Sequence, residues 1–176
     1  MRSFSENKQK ESGKTLLQKE FGGNEITFPY KSFNLLLKDL NFECNDWINY
    51  WKVKGGDKLA SHYWSDDIRS DWIWGLGLPL LTEIKNAVEN NNDKFLLGIS
   101  ALPGCGKSTL GKWLEAASIE LNWPIKVLSL DDFYLPGKFL DKEMSSNPWG
   151  VPRGLPGSHS IELLNESIDF WKTTGN

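Results

Sequence analysis

The stretch Phe95-Leu96-Leu97-Gly98-Ile99-Ser100-Ala101-Leu102-Pro103-Gly104-Cys105-Gly106-Lys107-Ser108-Thr109-Leu110 decides how this chain is read. Its first five residues are a short, continuous apolar run, the pattern of a strand buried within a parallel sheet. The loop that follows has the spacing small-x-x-x-x-Gly-Lys-Ser of a phosphate-binding loop, with Ala101 in place of the first glycine. Behind it, Leu110, Trp113, Leu114, Ala117 and Leu121 share one face of a helix. That placement carries the chemistry. Successive backbone N–H groups in such a loop wrap an anion. Gly104 and Gly106 let the backbone approach closely and take unusual φ/ψ values. The helix start presents the positive end of its dipole to the same anion. Lys107 is placed to reach the outer phosphates of a nucleotide, and the Ser108 hydroxyl to hold Mg²⁺. Ala101, Leu102, Pro103, Gly104, Cys105, Gly106, Lys107, Ser108 and Thr109 form the candidate ATP-binding set. Cys105 reads as a small filler of the loop, with a redox handle as the alternative.

Downstream, Trp123-Pro124 makes a tight connection and residues 125–130 read as a second strand. Strand, helix, strand predicts a right-handed βαβ unit. The expected fold is therefore α/β, a P-loop NTPase-type parallel sheet with flanking helices, incomplete because only two strands are visible. Asp131 and Asp132 then fall at a C-terminal strand end, where such sheets bind ligands. One of them is a candidate general base for an attacking hydroxyl, or the pair is a Walker B-like holder of Mg²⁺. Residues 137–158 read as irregular. Within them Pro152-Arg153-Gly154-Leu155-Pro156-Gly157-Ser158-His159-Ser160 is dense in turn formers. A rigid turn carrying Arg153 and His159 suits a small anionic substrate, because Arg forks onto a carboxylate. The alternative is a helix start, with Ser158 or Ser160 as N-cap and His159 exposed. A last helix carries Ile161, Leu164, Ile168 and Trp171.

Upstream, residues 1–24 are polar, with a weak helix around Leu16, Leu17 and Phe21. Phe33, Leu36, Leu37 and Leu40 predict a helix from Pro29. Asp46 can cap a further helical turn with Trp47, Ile48, Tyr50 and Trp51, stopped by Gly55-Gly56. Residues 61–70 read as loop or short helix. Pro79 suits the first turn of a helix whose apolar face is Leu80, Leu81, Ile84, Ala87 and Val88. Asn90-Asn91-Asn92-Asp93 is a turn cluster. It divides a mainly helical N-terminal region, residues 1–93, from a kinase-like part, residues 94–176.

The 176 residues allow one core of ordinary size. A net charge of -3 argues against nucleic acid or an anionic membrane as partner. No apolar run approaches the ~18 residues of a membrane span. Two cysteines, Cys44 and Cys105, cannot staple a scaffold, which predicts a reducing, cytoplasmic setting. Of the nine tryptophans, Trp47, Trp51, Trp72 and Trp74 are read as core that buries the helical lead-in, with a binding box as the alternative, and Trp113, Trp123 and Trp171 fall where helix and strand should pack.

Residues 99–110, then Leu130-Asp131-Asp132-Phe133-Tyr134-Leu135-Pro136, then Arg153-Gly154-Leu155-Pro156-Gly157-Ser158-His159 resemble the D-glycerate 3-kinase family. That family belongs to the P-loop kinases related to uridine kinase, phosphoribulokinase and pantothenate kinase. The resemblance covers about the second half of the chain. It implies ATP-dependent phosphorylation of D-glycerate to 3-phosphoglycerate, with Lys107 and Ser108 on ATP and Mg²⁺. It also implies Asp131 as the base, since Asp131 matches the single acid of the relatives. Asp132 stands where they carry a small residue. Arg153, Gly154 and His159 fall in the stretch expected to line the acceptor pocket. The family usually has Asp after the His, and here it is Ser160. Members run on through further strands, a later acidic strand end and a basic lid. A chain ending at Asn176 is therefore expected to be a fragment, an early-terminated product or part of a split protein. Two other readings use the same loop: a kinase of uridine, pantothenate or a sugar phosphate, and a P-loop ATPase or nucleotide-binding interaction module.

Overall fold

The computed structural model describes residues 12–20, 28–64, 69–91 and 94–175. Phe21, Asn92 and Asp93 lie outside them. Eight α-helices are present among the described residues: α1 Gly13–Glu20, α2 Tyr30–Asp39, α3 Cys44–Val53, α4 Arg69–Trp72, α5 Leu78–Asn91, α6 Lys107–Leu121, α7 Gly137–Met144 and α8 Ile161–Thr174. They fall into two compact units, Met1–Pro124 and Ile125–Asn176.

The expected parallel-sheet α/β architecture is not observed. Among the described residues there is no β-ladder, and the one isolated bridge is an antiparallel pairing of Tyr134 with His159. Residues 95–99, expected as a strand, have no regular secondary structure. Residues 125–129 have none either, and Leu130 enters a 3₁₀ turn, Leu130–Phe133. The physical reason is visible in the side chains. A buried parallel strand needs ladder partners and cover on both faces. Here Leu96 is 60% exposed and Leu128 52%. An apolar run without neighbours has nothing to make it a strand. The segment expected to be irregular, residues 137–158, opens instead with α7.

The first unit is organised by aromatic rings. α2 buries Phe33 and Leu37, and α3 buries Cys44, Trp47, Ile48 and Trp51, at helical spacing. α4 and α5 are joined by a π-helical segment, Ile73–Gly77, so that helix runs without a break from Arg69 to Asn91. Trp47 meets Phe33 edge-on at 5.4 Å and Trp74 at 5.8 Å. Trp47, Trp51, Trp74 and Trp113 are fully buried, whereas Trp149 is 72% exposed.

One polar knot ties α3 to α5. The Thr82 hydroxyl accepts from Trp47 Nε1 at 2.9 Å and from Trp51 Nε1 at 3.0 Å, and donates to Leu78 O at 2.8 Å. All three side chains are buried, so this one oxygen satisfies two indole donors that water cannot reach.

α6 is held to the same unit along its length. Trp113 Nε1 donates to Leu59 O at 2.9 Å. The Glu120 carboxylate accepts from Ala60 N at 3.2 Å. The Trp113 ring lies against Gly77, where a Cβ would come within 2.6 Å of it. Gly77→Ala is therefore expected to destabilise the unit by about 1–3 kcal/mol through overpacking. That outweighs the helix propensity gained, about 1 kcal/mol. Thermal melting measures it, and an unchanged or raised Tm would show that the ring can give way. α6 ends in a left-handed cap at Asn122, with Trp123 N donating to Ser118 O at 2.8 Å.

The second unit has a sparse interior of Phe133, Met144 and Ser158. α8 starts at Ser160, whose hydroxyl accepts from Leu163 N at 3.2 Å.

Candidate functional site

In the first unit the glycine-rich loop retains the loop-to-helix half of its expected setting. Cys105 N donates to Leu102 O at 3.4 Å, closing a turn. Gly104 at φ 76° and Gly106 at φ 92° occupy the left-handed region that favours glycine. Gly106 is the N-cap of α6 and has no side chain to cap it. The intrahelical ladder starts with Leu110 N on Gly106 O at 2.9 Å. The amides of Lys107, Ser108 and Thr109 thus lie in the first turn, ahead of the ladder. Lys107 Nζ folds back over the loop and donates to Ala101 O at 2.7 Å and Leu102 O at 2.9 Å. Ala101, Leu102, Pro103, Gly104, Cys105 and Ser108 are exposed, and Gly106, Lys107 and Thr109 half-buried.

These features fit a polyphosphate. The turn carries two left-handed glycines, the helix start has no side-chain cap, and the Lys107 ammonium is folded back over the loop. They also fit Mg²⁺ in the way that nucleotide sites hold it, through one or two side chains plus phosphate oxygens. Among the described residues no group of three or more His, Cys, Asp or Glu is assembled to hold a metal by protein ligands alone.

In the second unit the structure brings two of the sequence motifs together. Ser129 Oγ accepts from Asp131 N at 3.3 Å and opens the 3₁₀ turn that carries Asp131 and Asp132, both exposed. Phe133 is buried and anchors that turn. Residues 133–135 then pair with residues 158–160: Ser160 N donates to Phe133 O at 2.7 Å and Leu135 N to Ser158 O at 3.0 Å. The pairing stacks Tyr134 on His159, with centroids 4.2 Å apart and planes at 25°. The Arg153 guanidinium lies over the same Tyr134 ring, 5.4 Å from its centroid. Ser158 is fully buried. Its hydroxyl donates to Leu155 O at 2.6 Å and accepts from Gly154 N at 3.3 Å. His159 Nδ1 lies 3.1 Å from the same oxygen and donates to it in the tautomer protonated there. Gly154, at φ 87°, lets this turn close beside Tyr134.

Of the expected residues, Arg153, Gly154 and His159 come together in one turn that is hydrogen-bonded to the segment after Asp131 and Asp132. Sequence reasoning missed Tyr134 and the internal role of Ser158. Tyr134 had a signal, an aromatic ring two residues after an acidic pair. Ser158 had none beyond its capping propensity, and Ser160 takes the cap.

The chain shares weak, partial homology with kinases. An uncharacterized kinase of Schizosaccharomyces pombe is 40% identical over 78 residues, 43% of this chain and 28% of that protein. The chloroplastic D-glycerate 3-kinase of Arabidopsis thaliana is 28% identical over 104 residues, 52% of this chain and 23% of that protein. The matches thus span roughly a quarter of these relatives. No protein-family profile matches the chain, and no solved structure is significantly similar. Among the described residues no helix is long and apolar enough to cross a membrane.

Proposed function

We propose that this chain carries the nucleotide-phosphate loop and the acceptor segment of an ATP-dependent small-molecule kinase, with D-glycerate as acceptor and 3-phosphoglycerate as product. The observation that carries the reading is the uncapped start of α6, preceded by two left-handed glycines and overlain by Lys107. The kinase names of both partial relatives support it, and the name of the second suggests the acceptor.

The loop amides and Lys107 would bind the phosphates of ATP. Lys107 would exchange its two carbonyl partners for phosphate oxygens. Mg²⁺, when bound, would neutralise phosphate charge, with Ser108 as its candidate ligand. In the second unit, Asp131 would be the general base for the acceptor's 3-hydroxyl. Arg153, over the Tyr134 ring, would fork onto the acceptor carboxylate. His159 would supply a further donor.

Two measurements test this reading. Cys105 is exposed in the loop, whereas Cys44 is buried and burial pushes its thiol pKa up, so one thiol is expected to react fast and the other slowly. MgATP should slow the fast thiol several-fold. Unaltered reactivity at millimolar MgATP would remove the nucleotide from the reading. For the acceptor, the His159 ring resonances should move on titration with D-glycerate and stay fixed with uridine, pantothenate or a sugar phosphate. Movement with one of those instead would reassign the acceptor. ATP hydrolysis indifferent to every acceptor would favour an ATPase.

A further inference from the structure

Gly106 has a neighbour that the loop motif does not call for. A Cβ built on it would lie 3.3 Å from the six-membered ring of Trp72. Trp72 is the last residue of α4 and is half-buried. It stacks on Trp64 with centroids 4.7 Å apart and planes at 10°. Trp64 is 8% exposed, and its Nε1 is buried without a hydrogen-bond partner among the described residues. An unsatisfied indole donor costs free energy, so this ring is kept in place by its packing and not by its polarity. The π-helical segment Ile73–Gly77 begins immediately after Trp72. Such segments are uncommon and recur beside functional sites.

We propose that Trp72, backed by Trp64, is a positioning residue for the phosphate-binding loop. The two stacked rings form a wall, Trp72 from the end of α4 and Trp64 from the residue after the 3₁₀ turn Ser61–Tyr63. Its edge meets Gly106 and holds that residue in the left-handed conformation that aims the amides of residues 107–109. The inference rests on the kinase reading for what the loop binds, and on the contact alone for how the loop is held. Gly106 needs a positive φ, and a Cβ there would press on the Trp72 ring at 3.3 Å, closer than ordinary contact, so conformation and packing both favour glycine. Without the wall the loop samples other conformations, and a triphosphate must first select the competent one.

The test is a comparison of the full chain with its Trp72→Phe and Trp72→Ala variants. Phenylalanine keeps a ring to face Trp64 and withdraws the atoms that reach Gly106. It also guards against a Trp72→Ala variant that fails to fold. Circular dichroism establishes that each variant retains its helices. The first readout is amide hydrogen exchange without nucleotide at Cys105 and Leu110, the hydrogen-bonded amides on either side of Gly106, against α5 as internal reference. The second is MgATP affinity by calorimetry. Exchange at the loop is expected to quicken in Trp72→Phe with α5 unchanged, and affinity to fall about tenfold. The third is a double-mutant cycle with Gly106→Ala. Its penalty in affinity should shrink when Trp72 is Phe, because the methyl group then has room while the φ strain is common to both backgrounds. Loop exchange equal to wild type in a folded variant, or penalties that simply add, overturns the proposal. Faster loop exchange in a protein whose wild type binds no MgATP supports the positioning role and sinks the nucleotide reading, so the two failures are told apart.

Discussion

Thr82→Val is expected to unfold this protein's N-terminal unit far more readily than its small change in shape suggests. Valine keeps the volume and the branched shape of threonine and removes one oxygen. That oxygen accepts from both Trp47 and Trp51 and binds Leu78 O in turn. Both indoles are fully buried, so neither N–H can turn to water. Each stranded donor costs about 1–3 kcal/mol, which puts the loss at about 2–6 kcal/mol. A domain of ordinary stability has about 5–15 kcal/mol in all. Urea denaturation followed by tryptophan fluorescence measures the effect as a lowered midpoint. Thr82→Ser is the control. It keeps the acceptor, loses a methyl group, and is expected to cost about 1 kcal/mol. Equal losses in the two variants would mean that packing, not the shared acceptor, holds α3 to α5.

Lys107→Ala is expected to lower MgATP affinity by about ten- to a hundredfold, the worth of one charge-assisted hydrogen bond to phosphate. It should leave Tm nearly unchanged. The two bonds that Lys107 makes, to Ala101 O and Leu102 O, are on the exposed loop, where water replaces them. Calorimetric titration of both forms reads the affinity, and Lys107→Arg separates charge from reach. A variant that binds MgATP as tightly as the wild type would leave the loop without its proposed ligand.

The helices were legible in the sequence wherever apolar residues recur at helical spacing over ten or more positions. Phe33 and Leu37, Trp47 and Trp51, and Leu110, Trp113, Leu114 and Ala117 are buried as their spacing predicts, whereas Leu36 and Val88, assigned to predicted apolar faces, are exposed. Pro79 sits in the first turn of α5, as its fixed φ favours. The loop turn was legible too, because glycine at 104 and 106 is demanded by backbone conformation. The sheet misread has a different origin. Residues 95–99 have the composition of a strand, but a strand is a relation between segments, and composition cannot supply the neighbour. α7 was hidden by the glycines and prolines that flank it. Its apolar residues Phe139, Leu140 and Met144 are too few to declare a period. The Thr82 knot and the Trp72–Gly106 contact join residues more than thirty positions apart, and neither has a local signature.

The π-helical segment has a consequence for phase. In an α-helix each residue turns the direction of the next by about 100°. A π turn accommodates one residue more, so the helix downstream of it is rotated by about that angle from where a uniform helix would put it. Arg69 to Asn91 is thus one rod with two bearings. One end directs Trp72 toward the loop, and the other directs Thr82 into the indole pair. The sequence between them works as a fixed angular offset. Its length in residues is set by geometry, and every residue between Trp72 and Thr82 is needed to keep both ends aimed.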